Sequence, residues 1–337
     1  MTRLRLVVAL TVAIVVGAAG FGPVGAQERL SIATGGTGGV YYPYGGAMAN
    51  LISDYVENTQ VTAEVTPASV DNMLLIESGD ADLAFVLGDT AYDAAQGNEP
   101  FTEPIAARTL ATLYNNYTHL VTTDDSGINT IADLKGKTVS TGAPGSGTEV
   151  IANRLMAAAG LNPDADIQRE QLGAAESTAA VKDGKIDAYF WSGGLPTAAV
   201  TDLGATPNVG LKLIPNAEFT APLAEQYGAF YGTATIPGGT YVGQDEAVDV
   251  VVVPNVLVVN EDFDEQLAHD ILAAIFEHKA DLEAAHPAAT ELTLETAVQN
   301  SPIPYHPGAI RFYEEQGVSI ATPAASPVAS PVASPSA

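Results

Sequence analysis

The chain contains no cysteine. Disulfides, thiolate metal sites and an N-terminal cysteine bearing a lipid are therefore excluded. Cations are scarce as well: 13 Lys and Arg stand against 40 Asp and Glu, giving a net charge of −27. A surface of that sign repels nucleic-acid phosphates and anionic lipids, so neither is expected as a partner. Catalytic signatures are missing too. The histidines His119, His269, His278, His286 and His306 show no H-E-x-x-H spacing, and no serine sits in a Gly-x-Ser-x-Gly elbow. The acidic cluster Asp245, Glu246 and Asp249 has no EF-hand pattern and is expected to be a solvated loop. No catalytic residue, metal or cofactor is expected.

What is present suits a globular protein of two lobes: 337 residues, 47% hydrophobic and 16% charged. Arg3 and Arg5, an uncharged apolar run from Leu6 to about Ala19, and Val24-Gly25-Ala26 before Gln27 have the layout of a secretory signal peptide. Residues 1–26 are expected to be removed on export, a membrane anchor being the alternative; no other run could span a bilayer. Residues 322–337, a Ser/Pro/Val/Ala tail, are expected to be disordered.

Between these ends the pattern alternates strand and helix. Leu30 and Ile32 open a strand, and apolar positions Tyr44, Ala47, Met48, Leu51, Ile52 and Tyr55 make a helix. Strands follow at Val61–Val65 and Asp82–Leu87, with helices Val70–Glu77 and Thr90–Gln96. After a β-like Ile105–Thr123 the rhythm repeats: strand Thr138–Thr141, helix Glu149–Ala159, strand Ile167–Leu172, helix Ala174–Lys182, strand Ile186–Trp191. Glu77–Phe85 also aligns with Lys182–Phe190, each a helix end, a glycine stop and an Asp-led strand. The apolar run Val248–Val259 holds Pro254, which suits a strand that breaks where it passes between lobes. Helices at Phe263–Ala285, Ala288–Val298 and Pro307–Gln316 are expected to return to the first lobe. The reading is an α/β, two-lobe hinged fold with a central ligand cleft. Lobe 1 takes residues 27–118 and 254–321, and lobe 2 takes 119–253.

Two glycine turns stand out. Thr34-Gly35-Gly36-Thr37-Gly38-Gly39-Val40-Tyr41 joins the first strand to its helix, and Gly142-Ala143-Pro144-Gly145-Ser146-Gly147-Thr148-Glu149 does so in the second lobe. A helix start presents unpaired N–H groups and the positive end of its dipole, so each turn is either an anion cradle or only a tight connection. Ser146 and Glu149 have capping-box spacing. Neither turn is a nucleotide site. Tyr41 stands where a dinucleotide fingerprint needs its last glycine, and the second turn lacks the P-loop lysine. No arginine lies in either turn, so backbone N–H groups are the expected means of holding an acid. Among the aromatic residues, Tyr41 and Tyr241 are given a ligand role, while Phe190 and Trp191 are read as packing.

With these residues in hand the chain resembles the TAXI family of solute receptors of TRAP transporters. The resemblance rests on Thr34 to Tyr42, Asp133-Leu134-Lys135-Gly136-Lys137 with Gly142 to Glu149, Gly184-Lys185-Ile186-Asp187-Ala188, and Gly239-Thr240-Tyr241 with Gly243-Gln244. It implies a periplasmic-binding-protein-like (type II) fold and an extracytoplasmic, monomeric receptor. Such a receptor delivers glutamate, glutamine, 2-oxoglutarate or a related dicarboxylate to integral membrane TRAP permease subunits. Carried over by position, Thr34, Gly35, Thr37, Gly38 and Tyr41 line the cleft from one side, and Ser146, Gly147 and Thr148 from the other. Ser69 and Asn72 join them, and Asp89 either pairs with an α-amino group or caps its own helix. Asn115-Asn116 departs from the family pattern, where Pro and an acidic residue are expected. A ligand-sensing module for a membrane signalling partner is the alternative reading.

Overall fold

The structure is a computed structural model that describes residues 27–320. The signal-peptide and tail expectations therefore lie outside the described residues. The first lobe opens with β1 (Glu28–Ala33), α1 (Tyr41–Tyr55), β2 (Thr59–Glu64), α2 (Ser69–Ser78), β3 (Leu83–Leu87) and α3 (Gly88–Gln96). A long β4 (Ala107–Thr123) then carries the chain into the second lobe. There β5 (Thr138–Ser140), α4 (Gly147–Ala158), β6 (Gln168–Glu170), α5 (Ala174–Lys182) and β7 (Ala188–Gly193) repeat the first lobe's alternation. Next come α6 (Ala198–Gly204), β8 (Leu211–Ile214), α7 (Thr220–Tyr227) and β9 (Gly232–Ile236). The return is β10 (Val248–Asn260), followed by α8 (Glu265–Glu277), α9 (Lys279–Ala285), α10 (Leu294–Ala297) and α11 (Pro307–Glu315).

One hydrogen-bonded path runs through both lobes in the order β2-β1-β3-β10-β4-β7-β5-β6. β1 pairs in parallel with β2 and β3, and β5 with β6 and β7, as the crossover helices require. The two long strands are antiparallel and carry the connection. β10 pairs with β9 through Val248–Val252 and with β3 through Asn255–Val259, while β4 passes from β10 to β7 at Tyr117.

Pro254 does not break this strand as expected. It falls in the gap between β9 and β3, where β10 has no neighbour on that side, so its missing N–H interrupts no ladder. The C-terminal helices differ from expectation as well. His278, stacked on Tyr55 with centroids 3.4 Å apart, separates α8 from α9. The Ala288–Val298 segment is a 3₁₀ turn, Pro287–Glu291, plus the four-residue α10, because Thr293 and Thr296 cap each other instead of continuing a helix.

The internal match has a structural counterpart. Gly79 and Gly184 take left-handed φ values of 75° and 66° just past α2 and α5. The aspartate that follows each one ties its strand to the lobe's first strand. Asp82 Oδ2 accepts from the Ser31 amide and Asp187 Oδ2 from the Thr138 amide, both at 2.8 Å. Apolar cores cover both sheet faces in each lobe. Phe312 and Tyr313 of α11 share one core with Met48 and Ile52 of α1, which returns the chain to the first lobe.

Candidate functional site

Between the lobes lies a cavity of about 330 Å³. Its lining includes the starts of four helices, α1 and α2 from the first lobe and α4 and α5 from the second. Each follows the carboxyl end of a parallel strand, where such folds place ligands. The amides of Tyr41, Gly147, Thr148, Ala174 and Ala175 have no acceptor among the described residues. Helix starts with free amides carry about half a positive charge each, and here they face one space. No Lys or Arg lines the cavity among the described residues. The positive potential is therefore supplied by backbone.

Local chemistry sets each tip. Ser146 Oγ accepts from the Glu149 amide at 3.2 Å, the cap that the spacing predicts. The reciprocal half of the box differs: the Glu149 carboxylate takes the Gly145 amide at 3.3 Å and is held in turn by Arg169 at 2.5 Å. Ser69 Oγ accepts from the Leu87 amide at 3.1 Å, and Thr148 Oγ1 from the Ser192 amide at 3.2 Å. Both hydroxyls accept from the strand ends, which leaves each O–H able to donate elsewhere. Ala68, the residue before α2, holds φ 99° on the cavity wall. That conformation costs a non-glycine residue roughly 1–3 kcal/mol, and such strain concentrates at functional sites.

The glycine turns also lock the lobes together. The Gly145 carbonyl accepts from the Val70 and Asp71 amides of α2, at 3.1 and 3.2 Å. In return the Gly38 carbonyl accepts from the Ala199 amide of α6 at 3.2 Å. A Cβ at Gly38 would lie 3.0 Å from Ala175, one at Gly39 would lie 2.6 Å from Trp191, and one at Gly147 would meet Leu87 and Ser69. These glycines thus allow close approach across the seam as well as exposed amides.

Of the residues singled out in the sequence, Gly35, Thr37, Gly38, Tyr41, Ser69, Ser146, Gly147 and Thr148 line the cavity. Four do not. Thr34 is fully buried with its hydroxyl on the Glu64 carbonyl at 2.6 Å. Asn72 donates to the carbonyls of Thr34 and Phe85, at 2.7 and 2.8 Å, and so ties α2 to the sheet. Tyr241 bonds His119 Nε2 at 2.9 Å and takes the Thr197 amide at 3.1 Å. Asp89 accepts from the Tyr231 hydroxyl at 2.7 Å, with Arg154 3.5 Å away. It is a cross-lobe anchor rather than a partner for an amine. Arg154 reaches from α4 to Asp93 on α3 at 2.5 Å and donates to Tyr231 at 3.0 Å. Burial pushes the Asp89 and Asp93 carboxyls up against the opposing pull of Arg154.

Sequence reasoning missed Trp191, which lines the cavity with its Nε1 on Thr197 at 2.8 Å, and the α5 tip at Gly173, Ala174 and Ala175. The only local signal for that tip is one glycine before a helical run.

Two α/β lobes bridged by long antiparallel strands, with strand ends and helix starts facing a central cavity, make the two-lobe type II fold of periplasmic binding proteins. The chain belongs to the NMT1-like family, whose model matches residues 32–317. A solved structure from Bordetella bronchiseptica RB50 is similar at a TM-score of 0.55 and 16% identity, covering 87% of this chain and 99% of that one. PhnD1 from Prochlorococcus marinus, in complex with methylphosphonate, is similar at 0.53 and 11%, covering 78% and 90%. A binding protein component of an ABC phosphonate transporter from Pseudomonas aeruginosa gives 0.52 and 14%, covering 78% and 79%. Among the described residues no helix is long and apolar enough to cross a membrane.

Proposed function

We propose that this protein is an extracytoplasmic solute receptor that binds a small organic anion between its lobes and delivers it to a membrane permease. The observation that carries the reading is the convergence of helix starts on a cavity with no cation in its wall. An acid group placed there meets several N–H donors and aligned dipoles, with Glu176 at the start of α5 the one charged side chain in the wall among the described residues. At about 330 Å³ the cavity sits at the small end of ligand sites, which matches an organic acid of the size of glutamate, glutamine or 2-oxoglutarate. Leu87, Leu172, Tyr41 and Trp191 supply apolar walls for its carbon chain. The lobes close about the β4/β10 crossing, and ligand favours the closed form by touching both sides at once.

The resemblance in the glycine turns favours a TRAP-type permease driven by an ion gradient as the partner, with the receptor acting as a monomer. Methylphosphonate in complex with a neighbour of the same fold is compatible with an oxyanion at the same place, since helix starts hold any small oxyanion.

The test is a thermal-shift screen across carboxylates, sulfonates, phosphonates and neutral or cationic solutes of similar size. At about 100 times its Kd a true ligand adds about 2.7 kcal/mol of stability. Response to organic acids alone supports the reading. Response only to neutral or cationic solutes overturns it.

A further inference from the structure

Buried polar side-chain atoms are normally hydrogen-bonded, and one left alone is destabilising. In this structure eight such atoms without a partner gather in one place: Tyr41 Oη, Tyr114 Oη, both amide atoms of Asn116, both of Asn255, Thr118 Oγ1 and Ser192 Oγ. Asn116 and Asn255 have no exposed surface, and Tyr41, the most open of the six residues, is 8% exposed.

Strand register places this patch on the cavity side of the sheet. Directly opposed residues share a face. Asn255 lies opposite both Tyr114 and Leu87, and Thr118 lies opposite Ser192. Leu87 turns its side chain toward Gly147 in the cavity wall, so Asn255 and Tyr114 share that face, and alternation along β4 puts Asn116 and Thr118 with Tyr114. Tyr41 lines the cavity too and sets its hydroxyl beside Ser69 and Asn116. The unpartnered atoms thus begin in the cavity wall at Tyr41 and Ser192 and continue inward beneath it.

The patch holds no charge. Its tyrosines are kept protonated by burial, and it contains no Lys, Arg, Asp or Glu. Asp89, whose charge reaches Tyr41, is occupied by Arg154, Tyr231 and the Thr90 amide, and Glu291, whose charge reaches Tyr114, is held by Asn115. A carboxylate or ammonium brought here would be desolvated without a counter-ion. A neutral group that both donates and accepts would satisfy several of these atoms at once.

Resting on the reading of the cavity as an anion receptor, we propose that this patch is a second subsite that recognises an uncharged hydrogen-bonding group at the far end of the bound acid. An amide or a hydroxyl fits; a second carboxylate does not. The acid group lies at the helix starts, and the neutral group reaches between Tyr41 and Ser192 toward Asn116 and Asn255.

The test is titration calorimetry of the full chain with three acids of equal chain length that differ only at the far end: pentanoate, glutarate and glutaramate. Glutaramate is expected to bind at least roughly tenfold more tightly than either of the others, because a site built for a polar group discriminates against its absence. Glutarate or pentanoate binding as well as glutaramate overturns the subsite and leaves the anion reading standing. Binding by none of the three overturns both. In Asn116→Leu the advantage of glutaramate over pentanoate is expected to vanish. An equal loss for all three acids marks Asn116 as structural and overturns its place in the subsite. If that variant does not fold, the three-acid series on the natural chain decides alone.

Discussion

The two glycine turns look alike in sequence and do different work in the structure. Both lead from a strand into a helix, both present amides to the cavity, and each gives a carbonyl to a helix of the opposite lobe. The first turn makes fewer bonds to the other lobe: Gly38 accepts a single bond, Gly38 and Gly39 lie against Ala175 and Trp191, and Gly36 has open space where a side chain would sit. The second is anchored on every side. Gly145 takes two α2 amides, Glu149 is fixed by Arg169, and the helix that follows carries Arg154 to Asp93. One turn is a cradle, while the other is a cradle built into a clasp. Glycine there is required by the neighbouring lobe as much as by a ligand.

Several substitutions would break that contrast. The largest effect is expected for Arg154→Leu on the clasp side. It strands Asp89 and Asp93 as buried acids, a loss of about 3–5 kcal/mol, and is read as a melting temperature lower by roughly 10 °C. A drop of only a degree or two would mean that the clasp adds nothing to stability.

A second test concerns His119, which pins the second lobe beside the crossing. Burial brings its pKa down to about 4, so it is neutral in the folded protein and protonates more readily when unfolded. Its contribution is complete above the unfolded value of about 6.5 and is lost as pH falls toward 4, about 3 kcal/mol in all. Asp89 and Asp93, with raised pKa values, act in the opposite sense over acid pH. Comparing denaturant unfolding of the natural chain and His119→Gln from pH 7 to pH 4 isolates the histidine, and the variant is expected to show the shallower decline.

Gly147→Val tests the clasp through binding. Its side chain would meet Leu87 and Ser69 of the other lobe, so the closed form is disfavoured and affinity falls roughly 100-fold, about 2.7 kcal/mol, while each lobe keeps its core. Gly36→Ala in the first turn meets nothing within 4 Å, and its expected effect on stability is within about 0.5 kcal/mol. Calorimetry of the two variants side by side measures the asymmetry directly. Equal losses would erase it.

Much of the scaffold could be read from the chain alone because its signals are local. Alternation, glycine stops and the Ser146 cap each act within a few residues, and the paired Asp82 and Asp187 contacts grew from a short internal match. What escaped depends on distance along the chain. Arg154 finds Asp93 across 61 positions, and Asp89 is claimed by Tyr231 across 142, so neither role leaves a local pattern. Pro254 misled because a proline breaks a strand only where a neighbour needs its N–H. Asn116 stands out in the sequence only by its departure from the family pattern and Asn255 sits in a run that reads as ordinary strand, and their unpartnered amides emerge only once the sheet register is known.

The claim on which the account turns is that an acid group is held by backbone amides and helix dipoles with no cation in contact. Titration calorimetry of the tightest-binding acid from the thermal-shift screen against its own primary amide isolates that group. The account predicts that the amide, identical in shape and stripped of charge, binds at least roughly 100-fold more weakly. An amide that binds as tightly as its parent acid would contradict it.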